Sequence, residues 1–244
     1  MLKAILFDLD DTLIGNSMET FVPAYFQALT RYMAKLIPPE QLVSELLRCT
    51  RAMEANDGTG PTNEERFAAA FFPAVGHDPE ELKPVFERFY AEEFQKLRGL
   101  TRTLPEARLL VEWAFARGLQ VAIATNPLFP HSPIEQRLAW AGVPVAEFDY
   151  ALVTSYENMH ATKAHPAYYR EILARLGRQP GECLMVGDDW KRDIAPAASV
   201  GIPGYWITNS SDTPPALPPD RGDKRGVLVR RGTLADLWDW IRTS

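Results

Sequence analysis

Two carboxylates, Asp8 and Asp10, stand two positions apart at the end of an apolar run, Ile5-Leu6-Phe7, and Asp11 follows directly. Alternate residues of an extended chain share a face, so Asp8 and Asp10 would project together and repel one another. A second acidic group, Asp188, Asp189 and Asp193, ends another apolar run, "CLMVGDD" (Cys183–Asp189). Thr125 and Asn126 close a third run, "QVAIATN" (Gln120–Asn126), and Lys163 lies beyond a fourth, "YALVTS" (Tyr150–Ser155). Acids this dense need a hard cation, and oxygen donors without His or Cys select Mg²⁺ over zinc or copper. Beside such a cation one carboxylate can attack phosphorus and form an aspartyl-phosphate, while a second protonates the leaving oxygen and later takes a proton from water. A hydroxyl and a lysine can hold the equatorial oxygens of a phosphoryl group as its charge redistributes.

These residues need a scaffold that brings chain positions far apart in sequence to one edge. The four runs, the first of them spanning Lys3–Phe7, together with a fifth, "GYWIT" (Gly204–Thr208), are apolar throughout and do not alternate, which is the signature of parallel strands covered on both faces by helices. Helix-length segments separate the later runs, and "TLPE" (Thr103–Glu106) and "SPIE" (Ser132–Glu135) read as capping boxes. The class is therefore α/β, a Rossmann-like parallel sheet flanked by helices. Ligands of such sheets bind outside the carboxyl ends of the strands, where the acids, Thr125 and Lys163 would gather.

The stretch between Gly15 and Gly99 breaks this pattern. Its apolar residues, such as Phe86, Phe89, Tyr90, Phe94 and Leu97, recur at helical spacing and predict the core of a bundle. Pro38-Pro39, "DGTGPT" (Asp57–Thr62) and "GHDP" (Gly76–Pro79) divide it into four helices. An all-helical domain over residues 16–99 is thus expected, inserted into a core of residues 1–15 and 100–244. Near the C-terminus "TNSSDTPPALPPDRGDKR" (Thr208–Arg225) reads as a Pro-rich loop, and "GVLVR" and "LADLWDWI" as a last strand and helix.

Composition bounds the partners. The chain of 244 residues is 46% hydrophobic and 24% charged, an ordinary globular balance. A net charge of −6 and a pI near 5.3 argue against nonspecific binding to nucleic acid or an anionic membrane. No apolar run is long enough to span a bilayer, the acid-bearing N-terminus is no secretion signal, and the two distant cysteines form no framework. A cytoplasmic protein acting on a small phosphate ester is the expectation.

In four places, in order, the sequence resembles the phosphatase branch of the haloacid dehalogenase-like hydrolase superfamily: "DLDDTL" (Asp8–Leu13), "ATN" (Ala124–Asn126), "KAHP" (Lys163–Pro166) and "GDDWKRD" (Gly187–Asp193). The resemblance implies Asp8 as nucleophile and Asp10 as general acid–base, with Asp10 also binding Mg²⁺ through its carbonyl. It implies that Thr125 and the Asn126 backbone grip the phosphoryl group while Lys163 offsets its charge. Asp8 and Asp188 would coordinate Mg²⁺ directly. Asp189 and Asp193 would be outer partners, Asp193 orienting Lys163, and the helical segment would be a mobile cap. Ala164 replaces a proline common among relatives, and "PLFPHSP" after Asn126 is unusually proline-rich, which bears on subfamily and substrate.

Each piece alone has an ordinary reading: a solvated turn for Asp8 and Asp10, turn chemistry for Thr125 and Asn126, a surface lysine, a helix N-cap at Asp188 and Asp189. Their order along the chain favours the catalytic reading. His131 and His165 stay open between the site entrance and surface or capping roles; His77 and His160 carry no signal. Arg48, Arg51 and Arg66 read as a solvated helix face. The reaction implied is Mg²⁺-dependent phosphomonoester hydrolysis. A phosphosugar mutase is the alternative, with a 2-haloacid dehalogenase or a non-catalytic binding protein behind it.

Overall fold

The computed structural model describes residues 1–208 and 227–243. Strand β1 (Ala4–Phe7) opens the chain and a tight turn leads to β2 (Ile14–Gly15). Four helices follow: α1 (Met18–Met33), α2 (Pro39–Glu54), α3 (Asn63–Val75) and α4 (Pro79–Glu92). A 3₁₀ stretch, Phe94–Leu100, brings the chain to β3 (Arg102–Thr103), α5 (Pro105–Ala116) and β4 (Gln120–Ile123). Next come α6 (His131–Trp140), β5 (Leu152–Val153), α7 (Pro166–Leu176) and β6 (Cys183–Gly187). A π-helical turn, Trp190–Ile194, runs into α8 (Ala195–Ser199), and β7 (Gly204–Ile207), β8 (Val229–Gly232) and α9 (Leu234–Thr243) complete the chain.

The main sheet has the order β5-β4-β1-β6-β7-β8 and every pairing in it is parallel. Alternation along the central strands divides the core in two. Ile5, Phe7, Val121, Ile123, Leu184 and Val186 face one side, packed with residues of α5 and α9 and with the helical segment. Ala4, Leu6, Ala122 and Met185 face the other, against Tyr168, Tyr169 and Ile172 of α7. Both faces are covered, which is why these strands carry no polar alternation. Phe7 lies opposite Ile123 on one side and Val186 on the other, so the residues that follow β1, β4 and β6 emerge next to one another.

The four helices between β2 and β3 fall where the sequence breaks predict. Pro39 and Pro79 occupy the first positions of α2 and α4, where a missing N–H costs nothing. The interior of this segment is aromatic, with Phe21, Tyr25, Phe89 and Phe94 in edge contacts. Phe89, Tyr90, Phe94 and Leu97 are buried as expected, but Phe86 is only partly covered. The segment's entry and exit are tied by a short antiparallel ladder, Ile14 to Thr103 and Gly15 to Arg102. Neither Gly15 nor Gly99 is in the left-handed conformation, so this geometry makes no use of their freedom.

Two expected caps are not formed. Thr103 is in β3 and its hydroxyl donates to the Trp140 carbonyl, leaving Leu104 before α5; Ser132 is inside α6, which starts at His131. A capping box does form where none was expected, Thr62 with Glu65 at the start of α3. Of the C-terminal strand, expected at "GVLVR", the structure has Val229–Gly232; Gly226 and residues 209–225 lie outside the described residues. Among the described residues no helix is long and apolar enough to cross a membrane.

One of the links between the helical segment and the sheet-bearing part is a buried asparagine. Asn63 donates its backbone N–H to Met159 and its side-chain amide to the Pro127 and Ala161 carbonyls, while its oxygen accepts from Asn56. Both asparagines are fully buried. Asn63→Ala strands the Asn56 donor and two carbonyls, and a lost buried partner costs about 1–3 kcal/mol. Urea unfolding of the variant should show a destabilisation of that order.

Candidate active site

At the carboxyl end of the sheet, Asp8 follows β1 directly and its backbone N–H is tied to the Val186 carbonyl of β6. Its carboxylate lies 2.5 Å from the Lys163 ammonium, which is also 2.5 Å from a carboxylate oxygen of Asp193. All three side chains are buried. Burial alone would strip the proton from Lys163, but Asp193 and Asp8 together hold its pKa well above the usual lysine value, so the ammonium stays charged. Lys163 is placed by the loop ahead of α7, where its N–H reaches the Asn126 side-chain oxygen at 3.3 Å.

Asp188 stands just past β6. Oxygens of Asp8, Asp188 and Asp193 all lie within 4.8 Å of one another. Burial, then repulsion from Asp8 and Asp193, pushes the Asp188 carboxyl up to about 8. Burial likewise pushes Asp193 up to about 7 against the pull of Lys163. Such shifts mark a site with more negative charge than the protein neutralises. Three carboxylates and no nitrogen or sulfur ligand form a donor set that suits a hard divalent cation such as Mg²⁺.

Gly187 makes this cluster possible. A side-chain carbon there would overlap the Asp193 carboxylate, so only glycine lets β6 pass so close. Asp189 faces elsewhere, its carboxylate accepting from the Lys191 and Arg192 N–H groups at 2.8 and 3.1 Å and capping the π-helical turn. Its own N–H donates to Asp193. Thr125 is buried beside the cluster, and its carbonyl is fixed by the Thr154 and Tyr168 hydroxyls, each at 2.8 Å.

Asp10 is not in the carboxylate cluster. Both its oxygens bind Arg137 Nη1, at 2.8 and 2.7 Å, and Asn16 donates to one of them at 2.9 Å. Arg137, on α6, is wholly buried and its guanidinium lies over the Phe129 ring, 4.8 Å from the centroid. Asp11 serves the turn: it holds the left-handed conformation at φ 53°, and its carboxylate and N–H are both bonded to Asn16. Aspartate is among the few residues that tolerate that conformation.

The structure thus brings Asp8, Lys163, Asp188 and Asp193 together, sets Thr125 and Asn126 beside them, and leaves Asp189 outside the cluster. Sequence reasoning missed Arg137, Asn16 and Thr12, whose buried hydroxyl lies 3.5 Å from both Asp8 and Asp188. Asn16 follows closely on the acids and could have been suspected; for Arg137 no local signal exists. His131 is half-exposed, with Glu135 at 3.5 Å, and His165 reaches the Glu54 carbonyl of α2.

A model of the haloacid dehalogenase-like hydrolases matches residues 2–201. The chain belongs to that family. As a haloacid dehalogenase-like hydrolase it is similar to a phosphoserine phosphatase of Thermus thermophilus, 28% identical over 93% of this chain and 98% of the relative. It is similar also to a phosphoglycolate phosphatase of Rhodospirillum rubrum, 26% identical over 99% of this chain and 91% of the other. Its fold matches a 2-haloacid dehalogenase from Pseudomonas syringae, with a TM-score of 0.64, 20% identity and full coverage of both chains.

Within this hydrolase, an added side-chain carbon at Gly187 would meet the Asp193 carboxylate. Gly187→Ala must displace Asp193 or bend β6, and overpacking of this kind costs about 1–3 kcal/mol. We expect a lowered unfolding midpoint and loss of most activity, since the shift is transmitted straight to Lys163. Wild-type rates in a Gly187→Ala protein would show that Asp193 need not stand where it does.

Proposed function

We propose that the chain is a Mg²⁺-dependent phosphomonoester hydrolase that forms an aspartyl-phosphate on Asp8. The observation that carries this reading is the pair of acids after β1 held in separate networks: Asp8 against Lys163 in a cation-poor carboxylate cluster, Asp10 against Arg137 and Asn16. Two neighbouring acids with different partners can take different roles.

Asp8 is the nucleophile. Its oxygen attacks phosphorus as the ester P–O bond breaks, and Asp10 delivers a proton to the departing alkoxide. Asp10 then takes a proton from water as that water attacks the phosphorus of the acyl phosphate, which frees inorganic phosphate and restores Asp8. The Thr125 hydroxyl and the Asn126 N–H donate to the phosphoryl oxygens, and the Lys163 ammonium offsets their charge through the transition state. Asn126 also positions Lys163 through its side-chain oxygen. Arg137 and Asn16 fix the direction of the Asp10 carboxylate. Asp8 and Asp188 would hold Mg²⁺, with the Asp10 carbonyl beside them; Asp193 is close enough to join but is committed to Lys163. When bound, the ion neutralises charge on the phosphoryl oxygens.

Residues 1–15 and 100–244 form the catalytic domain in this reading, and residues 16–99 a cap that excludes water. The β2–β3 ladder, which ties the entry of the helical segment to its exit, supports that division. The two cysteines are free and buried, consistent with work in the cytoplasm. Relatives named as phosphatases of small phosphorylated compounds support a metabolite substrate.

Release of phosphate from 4-nitrophenyl phosphate tests the reading. Activity should require Mg²⁺, vanish with chelator, and fall to background in Asp8→Asn while the circular dichroism spectrum is unchanged. Asp10→Asn should cost about 10²–10⁴-fold, the worth of a general acid. Full activity of Asp8→Asn, or of the wild type in excess chelator, would defeat the proposal.

The raised carboxyls give a second measurement. A carboxyl held up near 8, as Asp188 is, keeps its proton at lower pH and must give it up to bind a cation. Mg²⁺ affinity should therefore rise with pH between about 6 and about 8, with proton release seen by calorimetry in buffers of different ionisation enthalpy. An affinity flat over that range would mean the cluster is already deprotonated.

A further inference from the structure

Between the helical segment and the loop after β4 lies a cavity of about 590 Å³. That volume is well within the range of about 300–1,000 Å³ found for small-molecule sites. Its wall is mostly apolar and includes the rings of Phe26, Phe67, Phe72, Phe86, Phe129 and Tyr156. None of the cluster carboxylates lines it, but the groups that hold Asp10 lie behind its wall. Phe129 is the ring under the Arg137 guanidinium that binds Asp10. Met18, also in the wall, has its sulfur 3.7 Å from the Asn16 amide that donates to the same carboxylate. One residue layer separates the cavity from the acid that must meet a leaving oxygen.

The charged groups in the wall are of the wrong sign for an anion. Glu64, Glu87, Glu135 and Glu157 line it, and the one lysine among the described lining residues, Lys83, is 2.8 Å from Glu64. No arginine is among those lining residues. The esters named for the phosphoserine and phosphoglycolate phosphatases carry a carboxylate, which a site recognises with a guanidinium or ammonium group. This cavity offers neither unpaired, and its four acids would repel such a substrate. The space is also far larger than a two- or three-carbon alcohol fills.

We propose that the cavity receives the alcohol part of the substrate and selects an uncharged, ring-bearing apolar alcohol over one that carries a carboxylate. The inference rests on the phosphatase reading above. Apolar surface in the alcohol is removed from water against the rings while the phosphoryl group is held by Lys163 and Thr125. Val22 of α1 and Ala68 of α3 are small wall residues where added bulk would take up that space.

The test compares 2-phenylethyl phosphate with 2-phosphoglycolate, both esters of primary alcohols, with Mg²⁺ present; acetyl phosphate serves as a small reactive probe that needs no cavity. For the wild type, kcat/KM should favour 2-phenylethyl phosphate by about 10- to 100-fold, the discrimination an apolar pocket supplies. Val22→Trp should erase most of that preference while acetyl phosphate turnover stays within about twofold, as expected for binding energy that only the larger ester can use. Ala68→Phe fills the space from another wall and repeats the test if Val22→Trp does not fold. Equal or better turnover of 2-phosphoglycolate by the wild type would overturn the proposal and leave the phosphatase reading standing. So would an unchanged preference in both filled variants. No Mg²⁺-dependent release of phosphate even from acetyl phosphate would remove the phosphatase reading, and this proposal with it.

Discussion

The ammonium of Lys163, buried 2.5 Å from both Asp8 and Asp193, is the interaction on which the site depends. Three pieces of chain that are remote in sequence converge on it: the end of β1, the loop before α7 and the turn after β6. An unpaired buried charge costs several kcal/mol by desolvation, so none of the three groups can be buried without the others. The sheet supplies the convergence, because parallel neighbours β4, β1 and β6 end at the same level. The glycine at 187 supplies the last ångström, by leaving room for Asp193. One lysine against three carboxylates is not neutral, however. Burial first, and then this deficit, raises the carboxyls of Asp188 and Asp193, and the deficit leaves the cluster suited to a further cation.

Much of this was legible in the sequence because it follows from strands. Once "ILFDLD", "QVAIATN" and "CLMVGDD" are read as covered parallel strands, Asp8, Thr125 and Asp188 must come to one edge, whatever the helices do. Lys163 could be placed with them from its position in the next connection. The breakers between Gly15 and Gly99 divided that stretch into its four helices correctly, since Pro39, Gly76 and Pro79 act locally.

What the sequence did not reveal depends on partners far along the chain. Arg137 looks like any polar residue of a surface helix, yet it is buried against Asp10, 127 positions away. Thr103 and Ser132 have the spacing of capping boxes, but Thr103 was claimed by a carbonyl of α6 and the first turn of α6 begins earlier. Local pattern identified the candidates; long-range packing decided among them. The aromatic stripe shows the same limit. Phe86, Phe89, Tyr90, Phe94 and Leu97 read alike as core, yet Phe86 and Tyr90 also face the cavity, because the bundle packs against the β4 loop only on one side.

The separation of Asp8 from Asp10 explains why the chain tolerates a buried arginine there. Arg137 leaves one of its amino groups, Nη2, without a hydrogen-bond partner, an unmet donor of the kind that folded proteins avoid. A methionine or leucine in its place would leave the Asp10 carboxylate without its charge partner, and removing one member of a buried pair is strongly destabilising. The pairing also fixes a direction: both Asp10 oxygens are bound to Arg137, while Asp8 is bound to the Lys163 ammonium. Asn16 completes the restraint, and it sits at the entry to the helical segment, one residue past β2. The residues that hold Asp10 thus also back the cavity wall through Phe129 and Met18. Under the proposed reading an alcohol pressed against that wall would be felt at Asp10, whereas the Asp8 cluster is built from the end of β1, the loop before α7 and the turn after β6.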